Sequence, residues 1–500
     1  MGTRERQIKN NEAYRRVLEA FKKQRKGATI ADITAKTALP LDSIRELVSV
    51  AADEYQARLQ VTESGEILYS FPHGFVSKYR GFHRNLAKTM EKIKRALKIA
   101  GIRIFKVWIM GMLVGYFVLF MLIALASLVI SVAASSSNSN NRSSHRGNSL
   151  GGMYFASQIF NLIIRIWFYS ELTKSLDGRY YENRRTKPTG RPLYKAIFSF
   201  VFGDEDPNGD WSSREKRSVI AYIQAHWGVI SLPEFMTLTG LPPERADAAI
   251  LSYCAEFGGL PEATEEGTVV YRFDPLLLRA DGQDRSFSGI SSIIKRLKSF
   301  SSNKKNMNHW FAVINGVNLA CGAYFIFNAL NVGVLASQMH ISGGTYPYAV
   351  AYMLFSGLFP NPLPVLTIGL GLVPLIFSFL FWLIPGLRYL GVRKENEAIK
   401  FENLRKIGYG RIWENPRRVK PGDLCPTTPE CRPQNLAAAE DNIINEVGSY
   451  AVPEVDLDEG GNPVYTFTEL AREKDALQKY RSSLDRSTSS LGKTVFDSEG

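Results

Sequence analysis

The stretch Gly203–Glu215 (GDEDPNGDWSSRE) holds the residues whose types and spacing best suit chemistry. Asp204, Asp206, Asn208, Gly209 and Glu215 match the calcium-loop pattern D-x-[DN]-x-[DN]-G-x5-E. Calcium asks for hard oxygen ligands at alternate positions, a Gly for the bend and a late Glu, and Asp210 would add its carbonyl. The expected ligand set is therefore Asp204, Asp206, Asn208, Asp210 and Glu215, with Ca2+ as the cofactor it would take. Pro207 inside the loop and Trp211 where an aliphatic residue is usual depart from the pattern. A second reading stays open. Ser212–Glu215 has the form of a capping box, which would turn Glu215 onto a backbone amide and leave Asp, Pro, Asn and Gly as a plain turn.

Cysteine offers less. Cys254 and Cys321 are isolated, and Cys425 and Cys431 form a lone C-x5-C. Zinc and iron–sulfur sites need further ligands that this spacing does not bring. The pair reads as ordinary loop cysteines, with a redox-labile pair as the alternative. Walker loops, nucleophile elbows, HExxH and dinucleotide fingerprints are absent from the sequence. No catalytic residue is expected.

The elements that must carry these residues are partly membrane-embedded. Val107–Ala134 runs 28 residues without a charge, and Asn306–Leu387 holds no Lys, Arg, Asp or Glu over 82 residues. Spanning needs about 20 apolar residues. Spans are expected near 104–133, 150–170, 309–337 and 363–387, with 346–359 open between a re-entrant or interfacial helix and part of a long kinked span. Arg165 in the second span lies near Trp167, Phe168 and Tyr169, where it can snorkel. In the third, Asn315, Asn318, Asn328 and Asn331 with Gly316, Gly322 and Gly333 read as helix-packing residues.

Charge sets the orientation. Residues 78–106 carry ten Lys and Arg, 174–195 seven, 295–305 five and 388–411 seven, against two in 135–152. Both termini and the middle domain are expected on the cytoplasmic side, in the inner (cytoplasmic) membrane of the cell. The basic flanks would also attract anionic lipid.

Thr29–Phe71 aligns without a gap to Ser231–Phe273, with nine identities among 43 positions at a shift of 202. The same shift carries the first span onto the third. A Gly–strand–Tyr–x–Phe stretch recurs three times, as Gly65–Phe71, Gly267–Phe273 and Gly461–Phe467. By the two-residue period Ile67, Tyr69 and Phe71 share one face, and Tyr69 and Phe71 should pack on helices. Helical periodicity in 12–24, 29–39 and 40–55, then a hairpin over 57–71, is the element order of a winged helix.

The expected fold is a multi-domain α-helical membrane protein with about four transmembrane helices as two hairpins and three cytoplasmic α+β winged-helix-like domains. The expected boundaries are a first domain over 1–75, a basic juxtamembrane helix over 76–103 and hairpin 1 over 104–171. A basic linker with the Asp-rich loop follows over 172–212, a second domain over 213–275, and a linker with a basic helix over 276–308. Hairpin 2 covers 309–391, a degenerate third domain 392–480 and a disordered tail 481–500.

The chain carries a net charge of +13, which invites a nucleic-acid reading, but its distribution does not. Residues 28–72 hold three basic and seven acidic side chains, 230–274 two and eight, and 434–467 none and seven. Phosphates would be repelled by each.

Ala196–Trp211 (AIFSFVFGDEDPNGDW) resembles a segment of an uncharacterised membrane-protein family of bacteria and plastids. There a Phe-rich run precedes Gly-Asp-x-Asp-Pro-Asn, a winged-helix-like region and a strand with Tyr and Phe. Some members carry an iron–sulfur biogenesis label, and the resemblance implies no known activity. The expected function is a non-enzymatic membrane scaffold or assembly factor that presents acidic domains to an unidentified protein partner. One alternative is a channel or transporter of parallel hairpin repeats, which with four spans would have to form a homo-oligomer. The other is a membrane-tethered transcription regulator, which the acidic domains disfavour.

Overall fold

The computed structural model describes residues 12–24, 27–72, 74–75, 82–136, 192–280, 294–331, 345–484 and 491–498. It comprises two compact units: one of residues 1–85, 206–298 and 394–500, the other of 86–205 and 299–393. The protein is mostly helical with three small sheets.

The second unit is apolar. Ile99–Ser131, Lys305–Leu330 and Val365–Glu414 are each long and apolar enough to cross a membrane. The span expected near 150–170 lies outside the described residues, as does Gly333. Tyr346–Ser356 forms a helix of 11 residues, too short to span. Two spans contain π-helical turns, at Gly111–Gly115 and Val365–Leu372. A π turn leaves carbonyls out of the normal ladder, and Asn318 Nδ2 donates to Leu113 O at 2.8 Å. Asn315 Nδ2 donates to Ser378 O at 2.9 Å, so both amides join helices, as small polar residues do in membranes. Asn328 and Asn331 instead bond within their own helix, to Tyr324 O and Phe327 O. A Cβ on Gly322 would lie 3.2 Å from Gly371 O, which is where a glycine lets two backbones meet.

The first unit holds the eight strands found among the described residues. The helices Glu12–Lys22, Ile30–Thr37 and Leu41–Tyr55 precede β1 (Arg58–Thr62) and β2 (Ile67–Ser70). Further along, Trp211–Ala225, β3 (Val229–Ser231), Leu232–Thr239 and Pro243–Phe257 precede β4 (Leu260–Ala263) and β5 (Val269–Arg272). A third series begins in the long Val373–Glu414 helix. It continues through the short 3-10 turns Pro421–Asp423 and Pro429–Cys431, the Leu436–Gly448 helix, β6 (Glu454–Leu457) and β7 (Pro463–Thr466). Thr468–Ser483 is helical, and β8 (Thr494–Asp497) closes the chain.

Local signals explain the short helices. Thr29 and Ser231 are N-caps whose capping boxes close on Asp32 and Glu234. The hairpins all turn at a glycine with positive φ: Gly65 (+80°), Gly267 (+81°) and Gly461 (+76°), a backbone that residues with a Cβ resist. The tyrosine four residues later bridges to an extended segment upstream each time. Ala28 pairs with Tyr69, Ile230 with Tyr271 and Val419 with Tyr465. The following Phe273 and Phe467 are fully buried, and the Phe71 ring meets Phe21 edge-on at 5.1 Å.

Three expectations need correction. The tail over 481–500 is not wholly irregular, because Thr468–Ser483 is helical and β8 pairs antiparallel with β1. An extended edge with unpaired backbone groups recruits a strand that composition alone marks as polar tail. Of the segment expected to hold a basic helix, residues 294–304 are non-helical, and side-chain amides satisfy the backbone of Lys295, Arg296 and Lys298 there. The helix after the Asp-rich loop begins at Trp211 with Asp210 as N-cap and no side-chain cap bond, so the capping box over 212–215 does not form.

Candidate functional site

Each predicted calcium ligand has a separate partner. In the apolar unit Asp204 Oδ2 accepts from Ser199 Oγ at 2.7 Å and from Ser302 N and Oγ at 2.8 and 2.7 Å. In the other unit Asp206 accepts Asn208 N at 2.9 Å and pairs with Lys298 at 2.9 Å. Those contacts hold its carboxyl below the usual range, the Lys298 hydrogen bond most of all. Asp210 pairs with Arg214 at 3.1 Å. Glu215 accepts from Lys406 Nζ at 2.8 Å and from Trp211 Nε1 at 3.2 Å. Among the described residues no three His, Cys, Asp or Glu gather closely enough to hold a metal. The calcium expectation thus finds no assembled ligand set there.

Asn208 does something the motif does not suggest. Its Nδ2 donates to Arg296 O at 2.8 Å while its Oδ1 accepts Arg296 N at 3.0 Å. Asn396 holds Lys298 the same way, at 2.9 and 2.8 Å, and Asn403 holds Lys295 at 2.8 and 2.8 Å. Three amides thus replace a neighbouring strand for Lys295, Arg296 and Lys298 and meet the obligatory backbone bonds of those three residues. Around Trp211 the cations of Lys406 and Lys295 stand 4.5 and 5.6 Å from the ring centre, a cation–π arrangement. Asn396 and Asn403 were not singled out in the sequence. Their seven-residue spacing, two helical turns on one face, was the available signal.

Two buried acids carry the next level of organisation. Asp32 is fully buried and accepts from Arg279 Nε at 3.1 Å and Ala280 N at 2.9 Å. Glu234, with its side chain 3% exposed, accepts from Arg481 Nη1 at 2.8 Å and Nη2 at 2.6 Å. The bidentate fork is the strong form of this contact. These are the equivalent capping-box acids, three residues after the N-cap, of the two short helices. The arginine on the first follows the second hairpin, and the arginine on the second follows the third. Arg279 and Arg481 were missed in the sequence because a lone Arg after a strand has no signature of its own.

The three hairpins differ in cover. The first turn is capped by the tail, with Glu63 N donating to Lys493 O at 2.9 Å. The second meets the Thr468–Ser483 helix, where Lys479 pairs with Glu266 at 2.6 Å and Tyr480 bonds Glu262. In the third, Asp458 pairs with Lys420 at 2.8 Å, while every residue of β6 is exposed. The four cysteines carry free thiols. Cys431 is buried, and burial pushes both its thiol and that of Cys425 up.

The chain is similar to an uncharacterised chloroplast protein of Arabidopsis thaliana, 22% identical over 416 residues, covering 80% of this chain and 73% of that one. No family model matches the chain, and no solved structure matches it.

Proposed function

We propose that the protein is a membrane-anchored scaffold or assembly factor, without enzymatic activity, that offers three winged-helix-like domains to a protein partner. The observation that carries this reading is the chain of buried arginine–carboxylate contacts, Arg279 on Asp32 and Arg481 on Glu234. They unite the three helix–hairpin series through the same structural position. A unit that joins three such series suits assembly.

Supporting the winged-helix reading, each series has the order helix, extended segment, helix, hairpin, and the tyrosine bridge sits at one position in all three. In the third, two 3-10 turns stand where the short helix would be. The shift of 202 residues relates Ala28 to Ile230 and Tyr69 to Tyr271, which supports an internal duplication. The domains carry surplus acidic charge, so a protein with a basic face suits them and a nucleic-acid backbone does not. The basic flanks of the spans support a cytoplasmic placement of the domains at the cell membrane. The relative is chloroplastic.

In-cell crosslinking of the tagged full chain, followed by purification, tests this. A defined soluble protein, recovered stoichiometrically and lost when Glu459 and Asp456 are changed to Lys, is the expected result. Recovery of lipid and detergent alone would remove the scaffold reading.

A further inference from the structure

We infer that the outer edge of β6 is a strand-addition site for an extended basic segment of a partner protein. This rests on the scaffold reading above and names the surface and the chemistry it uses.

The mode is visible within the molecule. At the first hairpin β8 extends the sheet by pairing with β1, giving the order β2-β1-β8. Leu59, opposite Tyr69, has its outer backbone groups filled: its N–H donates to Ser498 Oγ at 3.0 Å and its C=O accepts Ser498 N at 3.0 Å. The added strand contributes little apolar burial, since Val495 is 69% and Phe496 59% exposed. Specificity comes from Asp497. Its carboxylate accepts Arg58 Nε at 2.9 and 3.1 Å and Gln60 Nε2 at 2.8 Å.

The residue facing the bridging tyrosine decides whether an edge can be extended. In an antiparallel ladder, opposite residues alternate between pairs bonded to each other and pairs whose backbone groups point away. Each bridging tyrosine spends its N–H and C=O on the upstream segment, as Tyr465 does on Val419 at 2.9 Å in both directions. Its partner across the hairpin therefore directs both groups outward. That partner is Leu59 in the first hairpin, Pro261 in the second and Val455 in the third. Leu59 is already engaged. Pro261 has no N–H, and a proline is a common means of closing an edge. Val455 keeps its N–H, and among the described residues the third sheet has two strands, β6-β7. Val455 is 57% and Leu457 72% exposed, so the open edge is also apolar.

Charge names the occupant. The residues of β6 at the places of Arg58 and Gln60 are Glu454 and Asp456. The contact that binds Asp497 in the first hairpin is thus inverted in the third. A strand with β-branched or aromatic residues and Lys or Arg in the place of Asp497 meets both the backbone and the carboxylates. The chain's own acidic tail, from this copy or a second, does not.

The probe is a labelled peptide of residues 494–499 with lysine in place of its aspartate and glutamate. It is titrated by fluorescence anisotropy against the full chain in detergent micelles, beside the unaltered acidic peptide. The lysine peptide should bind saturably and the acidic one roughly fivefold or more weakly, given about 1 kcal/mol for a favourable cross-strand charge pair. Val455→Pro, a residue already tolerated at the matching position in the second hairpin, should abolish binding without lowering Tm. Glu454→Arg should reverse the preference between the peptides. Lysine-peptide binding that survives Val455→Pro, or its absence in the unmodified chain, overturns the proposal. If crosslinking recovers a partner and Val455→Pro does not affect it, the scaffold reading stands and the edge site falls. If the peptide behaves as expected and no partner is recovered, the reverse holds.

Discussion

Arg481 and Glu234 show how much a single side chain can decide. A buried carboxylate is tolerable only while it is paired and hydrogen-bonded. Removing the guanidinium leaves Glu234 with neutral donors in place of its counter-charge, among them the N–H of Ser231 at 3.3 Å. Arg481→Met should therefore lower stability by about 3–5 kcal/mol, read as a fall in Tm of the full chain in detergent. Adding Glu234→Leu should recover part of the loss, because the stranded charge is gone. Glu473 is tuned the other way. Burial raises its carboxyl to about 7, and Tyr450 donates to it at 2.9 Å. The folded state holds a proton there that the unfolded chain has released. Stability should thus fall as pH rises from the ordinary glutamate value toward about 7. Glu473→Gln should flatten that slope in denaturation curves taken at successive pH values. For the Asp-rich loop, each candidate ligand is engaged by a different partner. Calorimetry of the full chain with Ca2+ should show no heat of binding and no shift in Tm, and a saturable heat would restore the loop as a calcium site.

Among the elements, β8 has the most consequence for its size. It ties the far end of the chain to the first hairpin through a short ladder and one carboxylate. Deleting residues 491–500 should speed hydrogen exchange at Leu59 and Val61 while the second and third hairpins keep their protection. Exchange mapped by mass spectrometry separates the two. The hairpins themselves were legible in the sequence, since a glycine that must adopt positive φ and a two-residue period leave a mark at fixed spacing. Tyr69 and Phe71 pack as that period predicts, beside Phe21. The extended segment 295–298 was not legible. Its Lys and Arg suggest a solvated helix, and only Asn208, Asn396 and Asn403, distant in sequence, hold it open. Such bonds depend on which helix faces arrive together.

On the scale of the whole molecule, the proposed scaffold role requires both termini on the cytoplasmic side. A protease-cleavable tag inserted in 135–152 should be cut from outside intact cells, and tags at either terminus only after lysis. Cleavage of a terminal tag from outside would place the acidic domains away from the cytoplasm and reverse the topology.

The apolar spans, the acidic domains and the triple Gly–Tyr–Phe spacing are properties of the sequence by itself. Each rests on a local requirement: length in hydrocarbon, net charge, or the backbone of a turn. The calcium pattern was equally local, yet its oxygens answer to Ser302, Lys298, Arg296, Arg214 and Lys406. Where each oxygen finds its counter-charge is settled by segments roughly a hundred residues away or more in four of those five cases, and only packing brings them near. The difference among the three sheet edges has the same origin. Leu59, Pro261 and Val455 become comparable only once each stands opposite a bridging tyrosine, because hydrogen-bond direction in a ladder is fixed by pairing.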